Sequence, residues 1–426
     1  MRFLSFKGGV ALPDHKDTAG AYTVTGDIPE QLIVPLRQHC GCLANPTVKE
    51  GDHVKRYQEI GTCPEGICAQ VHAPTSGNVI EIGEHPTPTG GTCTSVVIEP
   101  DGNDTSKRYK KLKPSSKKDD VLKRIRDAGI VGLGGACFPT HIKLNCKEDI
   151  DTLLLNGCEC EPYITADHRV MLEHAKEVVS GMQLMMTASN AKHGVIAIES
   201  NKPDAVSVLK KACEGTNIDV KTVRTKYPQG AEKMLIDAAL GRKVKQGKLP
   251  SSVGVIVNNV STAKAVHDAV IEGIPLTERV VTVTGEVGTA HNILARIGTP
   301  VRELLTRCGG ITGRPEKVVA GGPMMGSCLH SVDTPIVKGT GCILVMKDEV
   351  FTEEHCIRCS RCVVHCPMHL TPTRIATLAK QGSIAEAERM HAMDCFECGT
   401  CAYMCPSRIP LVQYIRLAKQ EIQKRK

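Results

Sequence analysis

Two twelve-residue runs near the carboxy terminus constrain this chain more than anything else in it. Residues 356–367 read CIRCSRCVVHCP and residues 395–406 read CFECGTCAYMCP. The first sets out Cys356, Cys359, Cys362 and Cys366, the second Cys395, Cys398, Cys401 and Cys405, in C-x2-C-x2-C-x3-C-P register. A tight loop with that spacing aims three sulfurs at three corners of one iron–sulfur cubane while its amides donate to cluster sulfides, and where two runs occur together the fourth cysteine of each serves the other cubane. The expected ligand sets are therefore Cys356, Cys359, Cys362 with Cys405, and Cys395, Cys398, Cys401 with Cys366, around two 4Fe–4S clusters. Paired C-x2-C units also serve zinc, but zinc needs four ligands and has no use for the third spacing or the trailing proline. The chain reads as an electron carrier.

Between the runs, TPTRIATLAKQGSIAEAERM places Ile375, Leu378, Ile384 and Ala387 at helical spacing, broken at Gln381-Gly382, so two short helices are expected. Of the 21 cysteines, thirteen lie outside the pattern. Buried small apolar residues are the default reading for those, and so many thiols suit a reducing compartment rather than a disulfide framework.

A chain of 426 residues exceeds one ordinary core, which implies three or four domains. From about 120 to 275, helical stretches (166–190, 203–214, 261–272) alternate with β-rich runs, TLLLN at 152–156, GVIAIES at 194–200, VKTV at 220–223 and VGVIVNN at 253–259. Such alternation implies a mainly parallel sheet with helices on its faces, and ligands of such sheets bind at the carboxyl ends of strands beside helix amino termini. Polar clusters fall there: Gly132-Leu133-Gly134-Gly135-Ala136, Asn156 to Pro162, and Asn258-Asn259. The glycines would let backbone amides approach a phosphate, with Lys143 as countercharge. A plain loop is the competing reading, because the spacing departs from G-x-G-x-x-G.

Lys107 to Lys118 holds seven Lys or Arg in twelve residues, read either as a solvated linker or as a contact for an anionic membrane surface or acidic partner. No apolar run reaches 18 residues and the amino terminus lacks a secretory core, so a cytoplasmic chain without a transmembrane segment is expected. The absence of Trp and the few Phe and Tyr argue against a single-stranded nucleic-acid binder, which needs stacking platforms.

GLGGACFPTHIKL at 132–144, NGCECEPYITADHR at 156–169, KYPQGAEKMLI at 226–236 and NNVSTAKA at 258–265, with both cysteine runs, resemble the RnfC family of the Rnf-type ferredoxin:NAD oxidoreductase. More distantly they are similar to the NADH- and FMN-binding subunit of respiratory complex I. The resemblance implies a multidomain architecture of α/β and β folds with a helical tail. Its parts are a lipoyl- or biotinyl-like β-sandwich (1–110), a Rossmann-like FMN/NADH domain (120–275), a β-grasp, SLBB-like domain (276–335) and a helical ferredoxin module with two 4Fe–4S clusters (345–426). It implies a site for FMN and NAD(H): Gly132, Gly134, Gly135 and Ala136 around the phosphate and nucleotide, Phe138 on the adenine, Lys143 and Asn156 on the flavin side, Glu159 near the nicotinamide, Gly230 and Glu232 on NADH, Asn258 and Asn259 on the phosphate. Ala231 departs from the relatives' Glu, and Cys137 and Cys158 stand where Gly and often Ala are usual. The sandwich has Gln70-Val71-His72 at the turn where a modifiable Lys would sit, so it reads as a structural or docking domain.

The implied activity is an oxidoreductase exchanging electrons between NAD(H), through FMN, and the two clusters, as a peripheral subunit on the cytoplasmic face of a membrane complex with membrane-embedded partners. Two alternatives stay open at this level: a soluble relative exchanging electrons with ferredoxin or a cytoplasmic reductase, such as an amino-acid reductase, and a relay that has clusters but no flavin.

Overall fold

The computed structural model describes residues 4–64, 66–314, 317–347 and 352–425. At its centre lies a four-stranded, all-parallel sheet made of β1 (Thr152–Gly157), β2 (His193–Glu199), β3 (Ile218–Val223) and β4 (Val255–Asn259), in the spatial order β3-β2-β1-β4. Period-two alternation splits each strand between two cores. Leu153, Leu155, Ile196, Ile198 and Ile256 face one side, while Leu154, Val195, Ala197, Val255 and Val257 face the other. The first side is covered by α1 (Ala166–Glu173), α2 (Ala175–Ser189), α3 (Pro203–Ala212) and α5 (Val260–His267), and the second by α4 (Glu232–Leu240). The helix expected over 166–190 is interrupted at His174, which ends α1 and caps α2. Helices α2 and α5 approach so closely that a Cβ on Gly181 would lie 1.8 Å from the Ala263 carbonyl oxygen, so only glycine fits there.

Two small sheets precede this domain. Leu32–Pro35, Thr92–Pro100, Gly77–Pro86 and His53–Val54 form one, and Asn45–Pro46, Glu59–Thr62 and Val71–His72 the other, with Val34, Ile60, Val71, Val96 and Ile98 between them. After the central domain comes a six-stranded mixed sheet around Glu278–Gly285, His291–Arg296 and Lys317–Ala320. It draws on residues beyond 276–335: Cys342–Met346 runs parallel to Glu278–Gly285, and Val24–Thr25 closes the far edge beside His291–Arg296.

The carboxy-terminal module is helical and internally repeated. Arg361–Val364 and Pro372–Lys380 are answered, 39 residues on, by Thr400–Tyr403 and Leu411–Lys424. The pairs Arg358 and Glu397, Ser360 and Gly399, and His369 and Arg408 all take positive φ, so both cysteine loops turn the same way. The expected second helix between them is Ile384–Arg389, separated from Pro372–Lys380 at Gln381-Gly382. Among the described residues no helix is long and apolar enough to cross a membrane.

Candidate functional site: a strand-end crevice facing the cysteine module

From β1 the chain adds β2 and β3 on one side and then crosses to place β4 on the other, so the order reverses between β1 and β4. In an open α/β sheet that reversal leaves a crevice at the strands' carboxyl ends. Asn156 and Asn259 stand there as register partners. Asn259 caps α5, its Oδ1 accepting from the Ser261 and Thr262 amides at 2.8 and 3.3 Å, while its Nδ2 donates to Asp167 at 2.6 Å. Thr262 Oγ1 accepts from the Leu133 amide at 2.9 Å and so fastens the glycine loop to the start of α5.

The loop closes on itself through Gly132 N donating to Phe138 O at 2.9 Å and Cys137 N donating to Gly132 O at 3.1 Å. Gly134, Gly135 and Ala136 are exposed at its tip, and Gly135 sits at φ +104°, a left-handed conformation that favours glycine. A Cβ on Gly134 would come 3.5 Å from Asn259, so the loop backs directly on the β4 end. Cys137 does not point at the tip. A Cβ on Gly339 would lie 2.5 Å from its Sγ, so the thiol is turned to a glycine of another domain, where burial pushes its pKa up to about 11. The sandwich also reaches this loop: Cys40 donates through its amide to Cys137 O at 3.1 Å and through its thiol to Ala136 O at 2.9 Å. Nothing in the sequence signalled that contact.

On the other flank, Asn156 Nδ2 donates to Gly230 O at 2.8 Å, the Gly230 amide donates to Cys160 Sγ at 3.3 Å, and Lys143 pairs with Glu232 at 2.7 Å. Gly132, Gly134, Gly135, Asn156, Gly230, Asn258 and Asn259 thus border one crevice, and Lys143 and Glu232 are tied together beside it. Phe138 is half-buried at the loop's base. The Glu159 carboxylate turns inward, accepting from the Asp167 and His168 amides at 2.6 and 3.2 Å at the start of α1. Burial pushes its pKa up, against the pull of Lys16.

Two lysines that sequence reasoning missed, Lys202 buried and Lys16 half-buried, shape this flank. Lys16 Nζ donates to the carbonyls of Glu159 at 2.9 Å and Glu161 at 2.8 Å, and Lys202 Nζ to that of Cys158 at 2.7 Å. The Asn258 side-chain nitrogen is buried without a hydrogen-bond partner, as are both side-chain polar atoms of Gln229. Orphaned buried donors of this kind are rare in folded proteins, and a polar ligand lying in the crevice would satisfy the one at the β4 end. An exposed glycine loop set against the start of a helix suits a phosphate. The residues present therefore fit a flavin nucleotide.

The cysteine module abuts this crevice. Tyr227, which opens the Tyr227–Gly230 turn, donates from its hydroxyl to Cys398 O at 2.7 Å. The Gly9 amide donates to His365 O at 2.8 Å, and Gly399 packs on Met324. Cys366, Cys395, Cys398 and Cys401 line one apolar cavity with Leu370, Val412 and Ile415. Leu370 N donates to Cys366 Sγ and Glu397 N to Cys395 Sγ, each at 3.4 Å. The thiols of Cys359 and Cys405 sit close enough to Cys362 to raise its pKa further, beyond the larger effect of burial. Cys366 is therefore found with the first three cysteines of the second run, and Cys405 beside Cys362 of the first. The Cys366 group faces the crevice, while Cys356 and Cys359 are exposed.

Family models match in four places: an RnfC barrel-sandwich hybrid domain over 4–103, the Nuo51 FMN-binding domain over 125–268, an SLBB domain over 280–327 and a 4Fe-4S dicluster domain over 355–409. The chain is 46% identical over 98% of its length, and 94% of the relative's, to the C subunit of the proton-translocating ferredoxin:NAD(+) oxidoreductase complex of Clostridium ljungdahlii. It is 44% identical, over 98% of its own and 97% of the other's length, to the Na(+)-translocating counterpart of Acetobacterium woodii. The chain belongs to the RnfC family. An NAD+-reducing NiFe-hydrogenase shares the fold at TM-score 0.51 and 21% identity, covering 63% of this chain and 54% of that one.

Membership accounts for the four-part architecture and for FMN and two 4Fe–4S clusters as its cofactors. The sandwich turn with no modifiable lysine is here buried: Gln70 and His72 are covered, and Lys338, in the turn that precedes Cys342–Met346, donates to Gln70 O at 2.7 Å and to Gly129 O at 2.8 Å. That turn is an interdomain joint. One expectation is corrected: of the thirteen cysteines outside the motifs only six are buried, while Cys40, Cys42 and Cys328 are exposed. Several serve in loops rather than cores, as Cys40 does.

Proposed function

We infer that this chain exchanges electrons between NAD(H) and two 4Fe–4S clusters through FMN held at the β1–β4 crevice. FMN, when bound, supplies the exchange between a hydride pair and single electrons. The protein's part is placement. Amides of Gly132, Gly134, Gly135 and Ala136 would hold the phosphate with Asn258 and Asn259, and Asn156, Lys143, Gly230 and Glu232 would border the flavin and nicotinamide side. Phe138 and Glu159 belong to the same region as base-stacking and loop-shaping groups. Cys366, Cys395, Cys398 and Cys401 would hold the near cluster, and Cys356, Cys359, Cys362 and Cys405 the far one.

The observation that carries the reading is the Tyr227 hydroxyl on the Cys398 carbonyl, which sets a ligand of the near cluster against the turn bordering the crevice. The far group, with Cys356 and Cys359 exposed, would then meet a redox partner. We assign the chain to the cytoplasmic face, against membrane-embedded subunits. Anaerobic purification tests both parts. Stoichiometric extractable FMN with NADH-dependent bleaching of the clusters supports the crevice assignment, and clusters without flavin or NADH response refute it. Co-purification with membrane subunits supports the location, and tight recovery with a soluble reductase refutes it.

A further inference from the structure

The segment between sandwich and central domain carries the chain's entire net charge. Seven of the 53 Lys and Arg lie in 107–118 and none of the 46 Asp and Glu, so the rest of the chain is balanced, 46 against 46. Composition alone leaves such a run either a solvated linker or a contact for an anionic surface or acidic partner, and the structure holds it as a strap. The Lys107 amide donates to Arg56 O at 2.8 Å, the Tyr109 amide to Gly273 O at 2.9 Å and the Leu112 amide to Val270 O at 2.8 Å. A Cβ on Gly273 would lie 2.1 Å from Tyr109 O, so the strap lies hard against that glycine. Two side chains turn inward as pins: Tyr109, whose hydroxyl donates to Asp127 O at 2.9 Å under the Arg124 guanidinium, and Leu112, packed on the central core. The alternation leaves Lys107, Arg108, Lys110, Lys111, Lys113 and Lys117 exposed. Of these only Lys111 has an acidic partner among the described ion pairs, Glu272 at 2.5 Å.

A backbone pinned at several points cannot fold its cations back onto the protein, so their field faces outward from one side. Six of the seven are lysine. Lysine is a point charge on a flexible stem, whereas the planar fork of arginine suits bidentate pairing with carboxylates on a protein partner. A lysine-rich face suits a diffuse anionic surface.

We propose that the Lys107–Lys118 strap docks the chain on anionic lipid headgroups. The proposal rests on the peripheral location inferred above, but not on the electron route. Its test uses the full-length, cluster-loaded protein in co-sedimentation with phosphatidylcholine vesicles, with and without about one third phosphatidylglycerol. The comparison protein is the variant K107Q/R108Q/K110Q/K113Q/K117Q, which leaves the Lys111–Glu272 pair intact. Each cation near an anionic leaflet strengthens binding about fivefold. The parent should therefore bind the anionic vesicles more than tenfold better than neutral ones, lose that preference in about 0.5 M salt, and lose it in the variant, whose iron content and NADH-driven cluster bleaching stay unchanged. Equal binding to both vesicles, or full retention by the variant, overturns the proposal. So does a parent that ignores lipid but is pulled down through the strap by an acidic protein. Failure of cluster bleaching in parent and variant alike would instead count against the electron route.

Discussion

Replacing Tyr227 by Phe removes one oxygen from the junction between crevice and cysteine module and leaves the ring. The hydroxyl donates to the Cys398 carbonyl at 2.7 Å, and both residues are buried, at 2% and 8% exposure. Water cannot enter to replace the lost donor, so the change leaves a buried carbonyl unsatisfied at a cost of about 1–3 kcal/mol. That cost falls on the docked arrangement, because the remaining contacts of the module here, such as Gly9 on His365 and the Gly399–Met324 approach, are untouched. Converted at tenfold per 1.4 kcal/mol, the docked state loses between about fivefold and a hundredfold in its equilibrium. The assay is anaerobic denaturant titration followed by cluster absorbance, paired with stopped-flow bleaching by NADH. The Phe variant should keep its FMN and iron, lose stability in that range and bleach more slowly. A variant matching the parent within about 0.5 kcal/mol and in rate would show that this contact does not seat the near cluster.

Exchanging the fourth cysteines separates the clusters. Cys405→Ser should lose about half the iron yet keep NADH-driven reduction of the near cluster, whereas Cys366→Ser should abolish NADH-driven reduction altogether; iron assay and low-temperature paramagnetic resonance decide. Gly135→Val tests the loop. A Cβ there meets no protein atom within 4 Å although φ is +104°, so the new side chain occupies ligand space, and extracted FMN should fall more than tenfold with iron unchanged. Glu161 gives a pH signature: burial raises its pKa to about 7, against amide hydrogen bonds from Met324 and Met325. A carboxyl raised in the folded state binds its proton more tightly there than when unfolded. Its stabilising share is thus full below about 4.5 and is lost as pH rises through about 7. The unfolding free energy from denaturant titration should fall between pH 5 and 7.5, by at most about 3 kcal/mol from this group, and Glu161→Gln should flatten that slope.

What the sequence disclosed and what it withheld divide along the distance over which each feature is encoded. The cysteine runs are local, since spacing alone fixes which sulfurs share a loop. The strands were legible because each alternates between two apolar cores, as Leu153 to Leu155 do. The crevice walls are not local. Cys40 reaches Ala136 across 96 positions, Lys16 reaches Glu159 across 143 and Lys338 reaches Gln70 across 268, and no period or motif announces such meetings.

Those long-range contacts share a chemistry that explains their silence. Lys16 and Lys338 are amines whose described hydrogen bonds run to backbone carbonyls, and a carbonyl is offered by every residue type. A lysine seeking a carboxylate would leave a charge pattern to read, while one seeking carbonyls leaves none. The same rule inverts for the basic strap, where charge was conspicuous and its order was not, because Tyr109 and Leu112 are only two apolar residues among the lysines. Binding carbonyls also carries a consequence for the site. Burial lowers the pKa of Lys338 to about 7, so its charge is lost near neutrality, whereas its geometry persists because a neutral amine can still donate to both Gln70 and Gly129. The Lys338 hydrogen bonds to Gln70 and Gly129 therefore hold the joint between sandwich and central domain whether or not the amine is charged. Lys338→Met should loosen it at every pH, most plainly as faster proteolysis between 100 and 130, with the clusters intact.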